Sequence, residues 1–109
     1  MVDRNCPIAK ATKVLGRKWT LEMIYYLRER KRFCELQEIV GGVNPATLTQ
    51  RLKTLERDGI VNRYPISAGP RHVEYELTDK GKDLLGVLSA METWVHRWNP
   101  EEENGNQRL

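Results

Sequence analysis

Apolar residues recur at helical spacing along most of the chain, and this pattern predicts five helices. The predicted helices cover residues 7–15, 20–28, 34–40, 45–58 and 79–98. The third helix is expected to turn Leu36, Ile39 and Val40 inward. A short turn, Gly41–Asn44, joins it to the fourth helix. Two helices joined in this way form the helix-turn-helix signature.

The stretch Asn44–Gly59 carries clear signals for both ends of a helix. Asn44 is suited to cap the first turn, and Pro45 fits the first helical position, where a missing N–H costs nothing. At the other end Gly59 suits a left-handed stop, after which Ile60 can fold back toward the core. The sequence therefore predicts a helix with well-defined ends.

Two different faces run along this fourth helix. The apolar face is formed by three leucines at helical spacing, Leu48, Leu52 and Leu55. The opposite face, here called the recognition face, is polar and basic, and it carries Ala46, Thr47, Thr49, Gln50, Lys53 and Arg57, with Arg51 at its flank. These side chains suit contact with base edges and phosphates, but they equally suit the solvated back of a core helix. The helix-turn-helix arrangement favours the DNA interpretation.

After Gly59 the pattern changes from helical to alternating, which predicts a β-hairpin. Ile60–Ile66 and His72–Leu77 are the expected strands, separated by a turn. A hairpin that follows a recognition helix forms a wing. Arg63 and Arg71 are then placed to reach the DNA backbone or a minor groove. The alternative for Arg71 is an exposed loop charge.

A run of charged residues, Arg-Glu-Arg-Lys-Arg over residues 28–32, precedes the third helix. Such runs usually form solvated connections. The functional alternative is a phosphate contact beside the recognition helix, and Arg32 is included among the candidate DNA-binding residues for this reason.

The last predicted helix is capped by Thr78 and runs from Asp79 to about Trp98. Its apolar residues follow a heptad pattern through Leu84, Leu88, Met91, Val95 and Trp98. A helix of this length spans about 30 Å, more than a domain this small is expected to cover. We therefore expect a second copy of the chain to pack there; the alternative is that the helix lies across its own core.

Composition narrows the classes of function. The chain has 109 residues, 39% hydrophobic and 30% charged, which suits one domain over residues 1–98 and a polar, disordered tail over residues 99–109. It has neither an apolar run that could span a membrane nor an apolar signal region, so we expect a cytoplasmic protein without membrane contact. The net charge of +3 favours an acidic partner.

Two cysteines, Cys6 and Cys34, and two histidines at unrelated spacing predict no disulfide scaffold, metal site or cofactor. Neither a phosphate loop nor a nucleophile elbow is present, and we expect no enzyme. A thiol enzyme based on Cys6 would need a base, and no histidine lies near it in sequence. Cys6 stands at the expected start of the first helix, where unpaired N–H groups favour a thiolate; the alternative is an inert capping residue. Cys34 is expected to pack as a small apolar residue.

The order of elements and a set of short motifs resemble the HxlR-type family of MarR-like winged-helix regulators from bacteria and archaea. The motifs are Cys6-Pro7-Ile8, Leu15-Gly16, Lys18-Trp19-Thr20, Arg32-Phe33, Glu35-Leu36, Leu48-Thr49-Gln50-Arg51-Leu52, Leu55-Glu56, Asp58-Gly59-Ile60-Val61, Arg71, Val73-Glu74-Tyr75, Leu77-Thr78 and Lys80-Gly81. They cover residues 6–98. One departure is the connection before Phe33, where relatives often have Gly-Pro and this chain has Glu29-Arg30-Lys31.

The resemblance implies a mainly α fold with a small β-hairpin wing, dimerised through its N- and C-terminal helices. It implies a homodimeric transcriptional regulator of double-stranded DNA with a pseudo-palindromic operator. The family's recognition helix corresponds to Thr47, Thr49, Gln50, Arg51 and Lys53, and its redox- or electrophile-sensing cysteine corresponds to Cys6. The alternative is a winged-helix protein-interaction module without DNA binding, whose affinity would barely depend on salt.

Overall fold

The computed structural model describes residues 5–68 and 72–99. Within them the chain forms five helices and three short strands. In chain order these are α1 (Pro7–Leu15), α2 (Thr20–Tyr26), β1 (Lys31–Arg32), α3 (Phe33–Val40), α4 (Pro45–Arg57), β2 (Val61–Pro65), β3 (Val73–Leu77) and α5 (Asp79–Trp98). The fold is the predicted winged helix-turn-helix, mainly helical with a small antiparallel sheet. None of the helices in this part of the chain has both the length and the apolar character needed to cross a membrane.

The predicted hairpin is confirmed, and a third strand joins it. β2 and β3 pair antiparallel with Val61 opposite Leu77, and β1 pairs with the other edge of β3, with Arg32 opposite Glu74. The last two residues of the charged run therefore supply an edge strand, and its first three residues form an exposed connection as expected for such a run. A strand of two residues shows too little alternation to be recognised in the sequence.

The core lies between helices α2 to α5 and one face of the sheet. Its buried apolar side chains are Met23, Ile24, Leu27, Phe33, Leu36, Val43, Leu48, Leu52, Leu55, Ile60, Val61, Val73, Tyr75, Leu77 and Leu88. β3 contributes every second residue, as expected for a strand with one covered face. α1 buries none of its residues and contributes only partly covered side chains.

The ends of α4 follow the signals seen in the sequence. The Asn44 side chain accepts a hydrogen bond from the Thr47 backbone N–H at 2.8 Å. At the other end the Ile60 N–H donates to the Leu55 carbonyl at 2.9 Å, and Gly59 has a φ of 76°. These are the contacts of a Schellman stop, which fixes where the recognition helix ends and the sheet begins.

Two helices depart from their predictions. α2 ends at Tyr26, about one half-turn before the predicted Arg28, because the chain turns there into β1. In α3, Phe33 and Leu36 are buried but Ile39 is 42% exposed. At 3.6 residues per turn Ile39 lies about 90° around the helix from the direction shared by Phe33 and Leu36, so the prediction that it faces inward is wrong.

Candidate nucleic-acid interface

The recognition face of α4 points to solvent because the opposite face is fixed in the core. Leu48, Leu52 and Leu55 are at most 1% exposed. On the other side Gln50 and Lys53 are exposed, and Ala46 and Arg57 are exposed with them. Thr47 and Thr49 are half-buried. Short polar and basic side chains thus lie along the outside of a rigid helix, an arrangement that fits the major groove of DNA.

Arg51, at the flank of this face, is tied to another part of the protein. It is half-buried, and its Nε donates a hydrogen bond at 3.0 Å to the backbone carbonyl of Lys18, in the loop between α1 and α2. This contact fixes α4 relative to that loop. Arg51 therefore positions the helix, and only the remaining N–H groups of its guanidinium are available for another partner.

The loop that receives Arg51 also packs against the turn of the helix-turn-helix. Among the described residues Trp19 is the one non-glycine residue with a positive φ, at 78°. A methyl group added at Gly42 would lie 3.8 Å from the Trp19 ring, so the indole covers that turn. An aromatic residue in a left-handed conformation costs on the order of 1–3 kcal/mol, which the surrounding packing must offset. The α1–α2 loop and the helix-turn-helix consequently form one packed unit.

A charged cluster occupies the exposed face of the sheet. Arg30 Nε lies 2.6 Å from Glu74 Oε1, and Arg32 Nε lies 3.8 Å from Glu74 Oε2. The Arg30 guanidinium also stacks over the Tyr64 ring, 4.2 Å from its centroid. The predicted phosphate contact Arg32 is therefore exposed but shares a carboxylate with a second arginine.

Arg63 belongs to the opposite face of the sheet, the face that carries Val61. It lies across from Tyr75 and hydrogen-bonds the Tyr75 phenol. Burial raises the pKa of Tyr75 above its usual value near 10, the Arg63 hydrogen bond and charge oppose that rise, and Glu56 of α4 adds to it. Arg63 thus stands beside the end of α4, not at the tip of the hairpin, and it remains exposed.

The end of the wing carries a pocket of mixed polar and apolar lining. The candidate DNA-binding residue Arg71 lies outside the described residues. The Ile66 N–H donates to the His72 carbonyl at 2.9 Å, and the Ser67 hydroxyl contacts His72 Nδ1 at 2.5 Å. A cavity of about 480 Å³ is lined by Arg32, Cys34, Ile66, Ser67 and His72. Cys34 is exposed there, so the expectation that it packs as an apolar residue is wrong.

Cys6 occupies the predicted N-cap position of α1. It is half-buried, and its side chain makes no capping hydrogen bond with the described first turn. The helix that it precedes is amphipathic yet buries no residue, and Ile8 is 71% exposed. Within residues 5–68 and 72–99 no three metal-binding side chains come together at this or any other place.

The C-terminal half of α5 leaves a large apolar surface uncovered. Leu88 is buried against α2, but Trp94 and Trp98 are 61% and 67% exposed. Val87 and Met91 are 50% and 45% exposed, and together these four side chains form a stripe along the helix. A groove of about 380 Å³ between α2 and α5 adjoins it. Exposed apolar surface of this kind is typical of an interaction site.

Comparison with known proteins agrees with this geometry. A family model described as HxlR-like helix-turn-helix matches residues 14–103. The uncharacterized HTH-type transcriptional regulator YvaP of Bacillus subtilis is 35% identical over 95 residues, which are 85% of this chain and 88% of YvaP.

Two solved structures with redox-related descriptions are also similar. Quinone-bound YodB from B. subtilis has a TM-score of 0.74 and 34% identity, over 85% of this chain and 99% of that chain. The redox regulator HypR in its reduced form has a TM-score of 0.77 and 33% identity, over 89% of this chain and 99% of that chain. The similarity thus extends over nearly the whole of the described fold.

Proposed function

The chain belongs to the HxlR-like helix-turn-helix family and is a helix-turn-helix transcriptional regulator, and on that basis we propose that it binds a pseudo-palindromic DNA operator as a homodimer in the cytoplasm. The operator is double-stranded DNA, and the protein acts by binding, not by catalysis. Neither a metal nor a cofactor is needed for this role.

The observation that carries the proposal is the two-sided character of α4. Three fully buried leucines hold the helix in place, and the recognition face presents Gln50 and Lys53 to solvent. Gln50 can form a bidentate contact with adenine, and Lys53 can reach guanine or a phosphate. Thr47 and Thr49 lie beside them and suit shorter contacts to bases or backbone.

The arginines around α4 serve mainly to fix the protein on the DNA backbone. Arg32 lies at the start of α3 and Arg63 stands beside the end of α4, while Arg71 comes between the two hairpin strands in the sequence. Arg51 keeps α4 oriented through Lys18 and contributes its remaining N–H groups. Contacts of this kind set register and orientation but carry no sequence information by themselves.

The second copy covers the apolar stripe of α5. Trp94 and Trp98 are large aromatic side chains left in solvent in the single chain, and α1 lacks any buried residue that would explain its amphipathic pattern. Pairing these helices between two copies removes both apolar surfaces from water. Two recognition helices related by a twofold axis then fit successive major grooves, on the order of 34 Å apart.

Binding of labelled duplexes across a salt series tests the proposal. Duplexes from the region upstream of the gene, and the same duplexes with single A·T pairs altered, should be compared for the parent, Gln50→Ala and Gln37→Ala. Loss of a bidentate contact costs about 1–3 kcal/mol, so Gln50→Ala should bind the operator about 5- to 150-fold more weakly and lose discrimination at one base pair. Gln37→Ala is the control with the same change on α3.

Two outcomes count against DNA recognition by this face. A Gln50→Ala protein as tight and as selective as the parent would remove Gln50 from the interface. Affinity that hardly changes with salt would favour the alternative, a protein-interaction module, because DNA binding weakens steeply with salt through counterion release.

A second function, redox or electrophile sensing by Cys6, is favoured by the position of this thiol. Cys6 is half-buried at the start of α1, the helix assigned above to the dimer interface. Oxidation or alkylation adds bulk and polarity there, tilts α1 and changes the spacing of the two recognition helices. The solved relatives described as a quinone-bound protein and as a redox regulator support this proposal by similarity.

Peroxide or quinone treatment followed by DNA binding tests the sensing role. The parent and Cys34→Ser should change affinity after treatment, whereas Cys6→Ser should not. Cys34 is the matched control because it is the exposed thiol of the described chain and lies at the wing. A response that survives in Cys6→Ser and disappears in Cys34→Ser would assign sensing to the other cysteine.

A further inference from the structure

We propose that Glu74 is a specificity-determining residue, which restrains Arg30 and Arg32 and thereby limits the affinity of the protein for DNA of arbitrary sequence. The inference rests on the proposed DNA binding. Glu74 is a carboxylate on the central strand of the sheet, where a negative charge would otherwise only repel DNA.

Glu74 forms ion pairs with two arginines on the exposed face of the sheet. β3 is the central strand, and Glu74 lies opposite Arg32 on one side and opposite Tyr64 on the other. Its two carboxylate oxygens face two different arginines, with Arg30 at 2.6 Å and Arg32 at 3.8 Å. One carboxylate thus holds two cations that come from the same short edge segment.

Both arginines remain accessible to another anion. The Arg30 and Arg32 side chains are 41% and 59% exposed, whereas that of Glu74 is 24% exposed. Arg30 donates a hydrogen bond to Glu74 from Nε, and Arg32 Nε lies only at ion-pair distance from the carboxylate, so other N–H groups of both guanidinium groups can serve a second anion. The Arg30 guanidinium also stacks on the Tyr64 ring, with its central carbon 4.2 Å from the ring centroid.

The cluster lies near the hairpin end of the wing, beside the start of α3. Arg32 lines the same cavity as Ser67 and His72, which close the hairpin, and it immediately precedes α3 of the helix-turn-helix. A phosphate that approaches this corner competes with Glu74 for both guanidinium groups. As long as Glu74 holds them, Arg30 and Arg32 are not free to contact the phosphates of the DNA backbone.

The consequence is a difference between operator and other DNA. On the operator, base contacts from α4 fix the register, so the arginines reach only those phosphates which that register brings near. On other DNA no base contact fixes the register, so the protein binds in the position that gives its cations the most phosphate contacts. Restraint of Arg30 and Arg32 by Glu74 weakens this non-specific attraction. Specificity is the ratio of the affinity for the operator to the affinity for other DNA, and Glu74 raises this ratio by lowering the affinity for other DNA.

The Glu74→Gln variant tests this role, with Glu76→Gln as its matched control. Glu76 lies two residues further along the same face of β3, opposite Asn62, and makes no ion pair within the described residues. Both variants remove one negative charge from the sheet, but only Glu74→Gln frees the arginines. Binding to the operator and to a random duplex is measured across a salt series, and thermal unfolding verifies that each variant is folded.

For Glu74→Gln we expect tighter binding to the random duplex and a steeper salt dependence. Each additional phosphate contact steepens the logarithmic slope by about 0.9, which corresponds to about eightfold in affinity at about 0.1 M salt. Operator affinity should rise less, so the specificity ratio falls. The specificity ratio of Glu76→Gln should stay within about twofold of that of the parent, and its logarithmic salt slope within a few tenths.

An Arg30→Gln/Arg32→Gln double variant gives the reverse test and does not depend on the folding of Glu74→Gln. It should bind the random duplex more weakly with a shallower slope, and adding Glu74→Gln to it should change affinity no more than Glu76→Gln does. If Glu74→Gln behaves like Glu76→Gln while the parent binds its operator, this inference fails and DNA binding stands. If the parent shows no salt-dependent DNA binding, both fail.

Discussion

At the scale of single residues, the tertiary contacts of Arg51 and Cys34 could not be predicted from residue type and spacing. Spacing puts Arg51 at the edge of the recognition face, but its hydrogen bond to Lys18 depends on a loop more than thirty residues earlier in the chain. Cys34 was expected to pack as a small apolar residue, yet it is exposed and lines the wing cavity beside the sheet. Both facts depend on tertiary contacts, which local periodicity does not encode. Asn44 and Gly59, by contrast, act through neighbouring backbone and were predicted correctly.

Tyr75 links the wing to α4, and its ionisation should affect stability at high pH. Burial raises the pKa of the phenol in the folded protein above its unfolded value near 10. The folded state therefore keeps this proton longer than the unfolded state, so stability is complete below about pH 10 and falls as pH rises through the folded pKa. Urea unfolding of the parent and Tyr75→Phe between about pH 8 and pH 11 measures the difference.

Tyr75→Phe should lose less stability over this alkaline range than the parent, since it has no phenol to ionise. Its stability near neutral pH also reports the cost of losing the Arg63 hydrogen bond, typically about 1 kcal/mol. Equal losses for the two proteins between about pH 8 and pH 11 would show that the phenol is not the group responsible.

At the scale of elements, long periodic segments could be predicted and short or shared ones could not. The bounds of α1, α4 and α5 follow from caps, prolines and the repeat of apolar residues. β1 is too short for its pattern to be visible, and it becomes a strand only because β3 offers a free edge. Gly81 is a similar case. From the sequence it is expected only to weaken the helix, whereas the structure shows why a residue without a side chain is needed there. It is buried in the first turn of α5, and a Cβ there would clash with the Ile60 carbonyl.

Replacement of glycine by alanine is therefore expected to have opposite effects at two positions of α5. Gly81→Ala should destabilise the protein even though alanine is the better helix former, because the backbone of Ile60 would have to move. Gly86→Ala, in the same helix, meets open space and should stabilise the protein by up to about 1 kcal/mol. Chemical denaturation measures both. A stabilising Gly81→Ala would mean that α5 does not approach Ile60 as closely as described.

At the scale of the whole molecule, the single chain leaves two features that a second copy would explain. α1 is amphipathic and buries no residue, and the α5 stripe of Val87, Met91, Trp94 and Trp98 is exposed. The heptad pattern of α5 predicted such a surface, and its members Met91, Val95 and Trp98 are exposed. Its first two members instead pack into the chain's own core, since Leu88 is buried there and Leu84 packs against it. How the two copies cross cannot be predicted from one sequence, since the angle depends on the packing of both surfaces at once.

The most direct test of paired recognition helices is the dependence of binding on the spacing of the two half-sites. An operator obtained by selection from random duplexes is compared with versions that carry about five or about ten extra base pairs at its centre, which correspond to about a half turn and a full turn. We predict that the half-turn insertion moves one half-site to the opposite side of the duplex and weakens binding toward that of an isolated half-site, with the full-turn insertion less harmful. Equal affinity for the original and the half-turn duplex would contradict it.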